Sequence, residues 1–421
     1  MATTASSVRE RVADLAKQGV NVTGEPREAP TSDIWQKLAD VGTELWLDTG
    51  DIDMANSLWS SEFTALTTNN TLLSNEVTKG IYDDLIKTAI ADIREADSDI
   101  TDDAVVIEIG LLLNAHHGLR LVENFGCKVS VELHTDLSHD FENTIETAHR
   151  LYEICPDFFI VKVPYTPTGV VAVRQLVKEG IPINFTLEFA ARQNYIAARI
   201  ANPTYCNVFL GRLNAYVADY SIGDGKYVGE KAIISSQLHL RELKDAGQCS
   251  TKQIAASMRE AEQVQTLAGL DVFTMPTGVA EGMPSLGLTP DDICGDLDPD
   301  LQINLSEGIC PEASGLNTLW DVSDGLKAAM DELTAQDDLD DMRGDCLAGF
   351  LKEKGLGDIF PEWTDQQIAD IAADGKIPNY DRWKDILKEG TVGLDALFNA
   401  SAWCSFAADQ KKLDDRIRSF M

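Results

Sequence analysis

Basic residues are scarce in this chain: 35 Lys and Arg stand against 69 Asp and Glu over 421 residues, a formal net charge of -34. An excess of negative charge this large repels the phosphate backbone of nucleic acid and the anionic face of a membrane, which excludes both as general partners. Long apolar runs are missing as well. The longest, at 104–113 and 158–163, are interrupted by Glu108 and Lys162 and fall short of the roughly 20 residues a membrane-spanning helix needs. Eight cysteines lie scattered between Cys127 and Cys404 with no C-x-x-C spacing, so they read as reduced thiols rather than a zinc or redox site. The first 19 residues contain acids and no apolar core of secretory type, and the expected location is the cytoplasm. There is no internal repeat and no low-complexity tract. At 44% hydrophobic and 25% charged the composition is that of a globular chain, which excludes general disorder.

What is present is an alternation. Short apolar, β-branched or aromatic runs recur at 44–47 (ELWL), 63–66 (FTAL), 128–131 (KVSV), 158–163 (FFIVKV), 183–185 (INF), 206–210 (CNVFL), 253–256 (QIAA) and 271–274 (DVFT). That makes eight, the number a (β/α) barrel requires. Helix-like stretches separate them at 143–153, 169–180, 189–201, 229–246 and 259–269, two of which close on Gly180 and Gly269 as C-caps. The longer interval 70–126 holds two helical patterns, at 76–94 and 103–124. The expected fold is an α/β (β/α)8 TIM barrel over residues 34–280, preceded by a helical extension and linker at 1–33. An acidic insertion, mostly helical or irregular, should follow at 281–390, and a C-terminal helix at 391–421 should pack on the barrel. Within the insertion, residues 281–350 carry about 17 acids against two bases, Lys327 and Arg343, and so read as a solvated, weakly packed face.

A parallel barrel builds its chemistry where strands end. Polar residues occupy almost every such place: Asp48, Asn69, Glu132, Lys162, Asn184 and Thr186, Asn207, Arg212, Ser257 and Arg259. Singly they have plain explanations: Asp48 or Asn69 as a cap, Glu132 as a solvated rim residue, Lys162 with its head snorkelling out of the barrel end. Lys162 is the hardest to dismiss, because FFIVKVP is apolar on both faces. Desolvation there disfavours the ammonium and frees the amine as a nucleophile toward a carbonyl. As a set, a lysine with two carboxylates, two amides and a threonine suits carbon–carbon lyase chemistry through an iminium. Two arginines and a serine further round suit a sugar phosphate. Other motifs weigh less. GDGKYVG at 223–229 misses the dinucleotide spacing, and His134, Asp136, His139 and Asp140 read better as a helix start, capped by Ser138 or Asp140, than as metal ligands. His116 and His117 are adjacent on a helix and point apart, which makes them poor co-ligands.

These residues resemble the transaldolases. The resemblance is carried by WLDTGD at 46–51, TTN at 67–69, VSVE at 129–132 followed by LSHD, VKVPYTPTG at 161–169, GIPINFTL at 180–187, FLGR at 209–212 and ASMR at 256–259, with FAADQKKL at 406–413 like the family's terminal helix. It implies that Lys162 forms the Schiff base, that Asp48 takes the proton of the donor's C4 hydroxyl, and that Glu132 and Thr186 hold the catalytic water. It further implies that Asn69 and Asn184 bind hydroxyls, that Asn207 and Phe209 complete the substrate set, and that Arg212, Ser257 and Arg259 bind the phosphate. Similar enzymes are transferases of the pentose phosphate pathway. They move dihydroxyacetone from sedoheptulose 7-phosphate to glyceraldehyde 3-phosphate, with no metal and no organic cofactor. Sugar phosphates are then the expected partners, and a homodimer is left open. Two positions depart from the family: Asn70 stands where a proline is usual, and Asn207 where many members have serine. Glu132 and Phe209 stand where related fructose 6-phosphate-type aldolases carry glutamine and tyrosine, which favours transfer over simple cleavage. That aldolase activity, or a silent sugar-phosphate-binding protein, is the alternative. The long span between 274 and 406 is expected to be surface, because an acidic lid would oppose a phosphate substrate.

Overall fold

Each of the eight apolar runs folds as a short strand buried on both sides, as parallel strands covered by helices must be. The computed structural model describes residues 2–421. Its strands are β1 (Glu44–Asp48), β2 (Phe63–Thr67), β3 (Lys128–Glu132), β4 (Phe159–Pro164), β5 (Ile183–Thr186), β6 (Tyr205–Phe209), β7 (Lys252–Ala256) and β8 (Val272–Pro276). They pair in sequence order, all parallel, and β8 closes on β1. The two-residue period sends alternate side chains into the barrel. The rings of Trp46 and Tyr205, with centroids 4.7 Å apart, fill its lower interior. Asp48 and Asn207, two residues further along the same strands, therefore reach the C-terminal mouth. Register aligns the middle of that mouth: Glu132 pairs with Lys162, and Lys162 with Asn184.

The interval 70–126 holds three helices rather than two, Asn70–Thr78, Asp83–Ala96 and Asp102–Phe125. The first starts early because the Asn69 side chain caps it, accepting from the Leu72 amide at 2.9 Å. The third has 24 residues and is long and apolar enough to cross a membrane by length and composition, but most of it is covered within the fold. Part of that cover is the N-terminal helix Ala2–Lys17, which buries Val8, Val12, Leu15 and Ala16.

Residues 281–350 differ from the weakly packed face expected of them. Helices Asp324–Thr334 and Gly344–Glu353 bury Leu326, Met330, Leu333, Leu347 and Leu351 against the outer barrel helices Ala191–Ile200 and Pro167–Lys178. Two acids of this span meet bases on those barrel helices. Asp331 pairs with Arg199 at 2.7 Å, and Asp340 pairs with Arg174 at 2.7 Å and with Lys178. A count along the chain misses these pairs, because the bases come from distant sequence. The last helix, Leu394–Arg418, is fastened to the barrel by a buried cluster in which Arg192 pairs with Asp395 at 2.6 Å and with Asp358 at 2.7 Å.

Candidate active site

A cleft of about 250 Å³ opens at the C-terminal ends of the strands. Of the eleven residues singled out from the sequence, nine line it: Asp48, Asn69, Lys162, Asn184, Asn207, Phe209, Arg212, Ser257 and Arg259. Glu132 and Thr186 do not reach its surface. They are buried at the ends of β3 and β5, the strands that flank β4 and its lysine.

Lys162 is buried, donates from Nζ to the Thr68 carbonyl at 3.2 Å, and has no carboxylate within ion-pair distance among the described residues. The Glu132 carboxylate beside it accepts from the Asn70 amide through Oε2 at 3.0 Å, while Oε1 has no partner among the described residues. A proline at 70 would offer no N–H, so the departure at this position supplies a hydrogen bond the usual residue could not. The Asn70 side chain is itself held, donating to the Leu133 carbonyl and accepting from Asn114, both at 3.1 Å. The hydroxyl of Thr186 is also buried without a partner among the described residues. On the strands either side of the lysine, two buried oxygens thus keep an unused hydrogen-bonding capacity among the described residues.

Burial raises the Asp48 carboxyl above the ordinary carboxylate range, against the charge of Lys162 and a hydrogen bond from Thr67. Burial raises Glu132 in the same way, with Lys162 and the Asn70 amide opposing and the charge of Asp48 adding to the rise. The two amides orient each other: Asn207 donates to Asn184 Oδ1 at 2.7 Å and to the Phe185 carbonyl, and Asn184 donates to Ser130 Oγ at 3.0 Å.

The opposite end of the cleft is cationic. Arg212 lies in the first turn of helix Leu210–Asp219, with its guanidinium 5.5 Å from the centre of the Phe209 ring. Burial, and then the like charge of Arg259, lower its pKa to about 10, which leaves it protonated at neutral pH. Neither arginine pairs with a carboxylate among the described residues. Ser257 holds a left-handed backbone, φ 59°, at the end of β7. Its carbonyl lies so close to Gly211 that a Cβ there would collide, which is why FLGR needs its glycine.

Ten lining residues lie outside the set read from the sequence, among them Thr67, Thr274, Lys376, Phe406 and Asp409. The strand-end rule that finds Asp48 also reaches Thr67 and Thr274. Phe406 and Asp409 lie in the FAADQKKL stretch, which marks a terminal helix but not a place in the cleft, and Lys376 comes from a segment with no local signal. Among the weaker motifs, His134 and Asp136 meet Asp414 rather than His139 or Asp140. Asp140 caps helix Phe141–Ile154, accepting from the Asn143 amide at 3.0 Å. His116 and His117 turn apart, toward the Ala16 carbonyl at 3.0 Å and the Tyr82 hydroxyl at 2.8 Å.

Comparison with known proteins bears on the same region. The transaldolase/fructose-6-phosphate aldolase family matches the chain over residues 45–311. A transaldolase of Xanthomonas euvesicatoria pv. vesicatoria (strain 85-10) is 31% identical over 244 residues, 56% of this chain and 73% of the relative. One of Xanthomonas oryzae pv. oryzae (strain PXO99A) is 30% identical over 251 residues, with the same 56% and 73% coverage. One of Chlamydia caviae is 30% identical over 236 residues, 54% of this chain and 70% of its own length.

Proposed function

Because this chain belongs to the transaldolase/fructose-6-phosphate aldolase family, we propose that it moves a dihydroxyacetone unit from a ketose phosphate to an aldose phosphate through a Schiff base on Lys162. The observation that carries this reading is the Lys162 amine itself, buried and, among the described residues, without an ion pair, beside two carboxyls that burial holds above their usual range. Sedoheptulose 7-phosphate or fructose 6-phosphate is the donor, within the pentose phosphate pathway of the cytoplasm.

The amine adds to the donor ketone to give a carbinolamine. Glu132 and Thr186, each with an oxygen that no protein group satisfies, hold the water that relays a proton, so hydroxide leaves as water and the iminium forms. Asp48 takes the proton of the C4 hydroxyl. The electrons of the C3–C4 bond then move into the iminium, leaving an enamine on Lys162 and releasing an aldose phosphate. A raised carboxyl pKa suits a group that must take and return a proton near neutral pH. When a second aldose phosphate enters, the enamine carbon attacks its aldehyde and Asp48 protonates the new alkoxide. Water then hydrolyses the iminium and frees the amine. Asn69 and Asn184 hold the hydroxyls of the three-carbon unit, Asn207 and Phe209 wall it in, and Arg212, Ser257 and Arg259 take the phosphate.

Borohydride added with fructose 6-phosphate should fix a three-carbon mass on Lys162, and an unlabelled protein would overturn the proposal. If free dihydroxyacetone accumulates without an acceptor as fast as transfer product forms with one, the activity is cleavage alone.

A further inference from the structure

The family match ends at residue 311, yet the cleft is completed from beyond it. Of the acidic span 281–390, Lys376 alone lines the cleft. It sits in the loop between helices Asp365–Asp374 and Tyr380–Glu389, and that loop is tied down on several sides. Ser401 donates to the Gly375 carbonyl at 2.6 Å. The Asp374 carboxylate accepts from Trp383 Nε1 at 2.7 Å and from the Asn379 amide at 3.0 Å. Arg212 donates from Nη1 to the Lys376 carbonyl at 3.5 Å, so the loop rests on an arginine of the cleft itself.

The turn into the loop needs Gly375. Its φ of 83° and ψ of -139° lie where L-residues are strained, although a Cβ would meet nothing within 4 Å. The glycine is therefore set by backbone conformation and not by space. It sends the chain toward the cleft, where the Lys376 side chain is exposed and, among the described residues, makes no ion pair.

We propose that Lys376 is the third cation of a phosphate subsite shared with Arg212 and Arg259, and that it meets a phosphate monoester dianion from the solvent side. The proposal rests on the sugar-phosphate reading above. Charge balance supports it: Asp409 also lines this cleft, with its carboxylate held by Thr71 and Lys412, each at 2.7 Å. With Asp409 already paired to Lys412, no carboxylate among the described residues is left to cancel the charges that Arg212, Arg259 and Lys376 bring to this end of the cleft, an arrangement that suits a dianion.

The test uses the full chain and inorganic phosphate, titrated calorimetrically at constant ionic strength. Lys376→Met should weaken phosphate binding at least about fivefold, the size expected of one partly exposed charge contact. Lys376→Arg should stay near wild type, and so should Lys388→Met, which removes the same charge away from the cleft. In transfer assays Lys376→Met should raise KM for erythrose 4-phosphate with kcat little changed, and leave unphosphorylated glyceraldehyde unaffected. Equal losses with both acceptors, unchanged phosphate binding in Lys376→Met, or a wild type with no affinity for phosphate would each overturn the assignment. Failure of borohydride labelling at Lys162 would overturn the Schiff-base reading alone, since the phosphate titration decides Lys376 without turnover.

Discussion

Thr67 donates its hydroxyl hydrogen to the Asp48 carboxylate at 2.9 Å, across paired positions of β1 and β2, and its oxygen lies 2.5 Å from that of Thr274. The bond favours the charged carboxylate, while burial favours the neutral acid. Thr67→Val removes the opposing contribution and should raise the Asp48 pKa, moving the acid limb of the kcat/KM profile to higher pH. An unmoved limb would show that another group sets it. Asp48→Asn should lower kcat by about 10²–10⁴-fold while borohydride labelling of Lys162 persists, because iminium formation precedes the step Asp48 serves.

Glu188 follows β5 and is fully buried, and among the described residues no well-formed hydrogen bond reaches either carboxyl oxygen. Burial holds its pKa well above the usual value. The folded chain then keeps a proton that the unfolded chain gives up near pH 4, so stability falls as pH rises through this interval and levels off above the folded pKa. Glu188→Gln removes that penalty. The melting temperature of the variant relative to wild type should therefore climb from pH 4 upward, and parallel curves would refute the argument.

Arg192 is buried between Asp395 and Asp358 and joins the last helix to the barrel. Burial opposes its charge, and the two carboxylates more than offset that, raising its pKa. Arg192→Met leaves two acids without their cation and should cost about 3–5 kcal/mol in urea unfolding. Because Phe406 and Asp409 of the same helix line the cleft, substrate affinity should fall with it. A loss below about 1 kcal/mol would mean that the acids find other partners.

His134 lies among Asp136 and Asp414, a grouping that invites a metal. Both ring nitrogens are engaged: Nδ1 accepts from the Asp136 amide at 3.2 Å, and Nε2 faces Asp414 at 3.3 Å. With Nδ1 accepting, Nε2 carries the hydrogen, and the ring has no free lone pair for an ion. Dialysis against EDTA should leave the melting temperature and activity unchanged, whereas His134→Ala should lower the melting temperature by loosening the terminal helix.

Strand positions were legible because the apolar runs are local, and alternation along each run says which side chains share a face. That is enough to bring Asp48, Lys162, Asn184 and Asn207 to one mouth. The helical count between β2 and β3 was not legible, because the cap at Asn69 lies within TTN and starts a helix that the apolar period alone does not mark. Nor was the packing of residues 281–350, where Asp331 and Asp340 meet Arg199, Arg174 and Lys178 from another part of the chain.

The sequence by itself therefore determined the barrel, the ring of strand-end polar groups and the chemistry they suit. The net charge of -34, taken whole, opposes an anionic substrate, but it is a sum over the chain and says nothing about place. Only tertiary structure decided that Lys376 and Asp409 complete the cleft, that Glu132 and Thr186 lie buried behind it, and that Arg192 anchors the last helix. These contacts join residues up to hundreds of positions apart, and no period or motif along the chain encodes a distance of that kind.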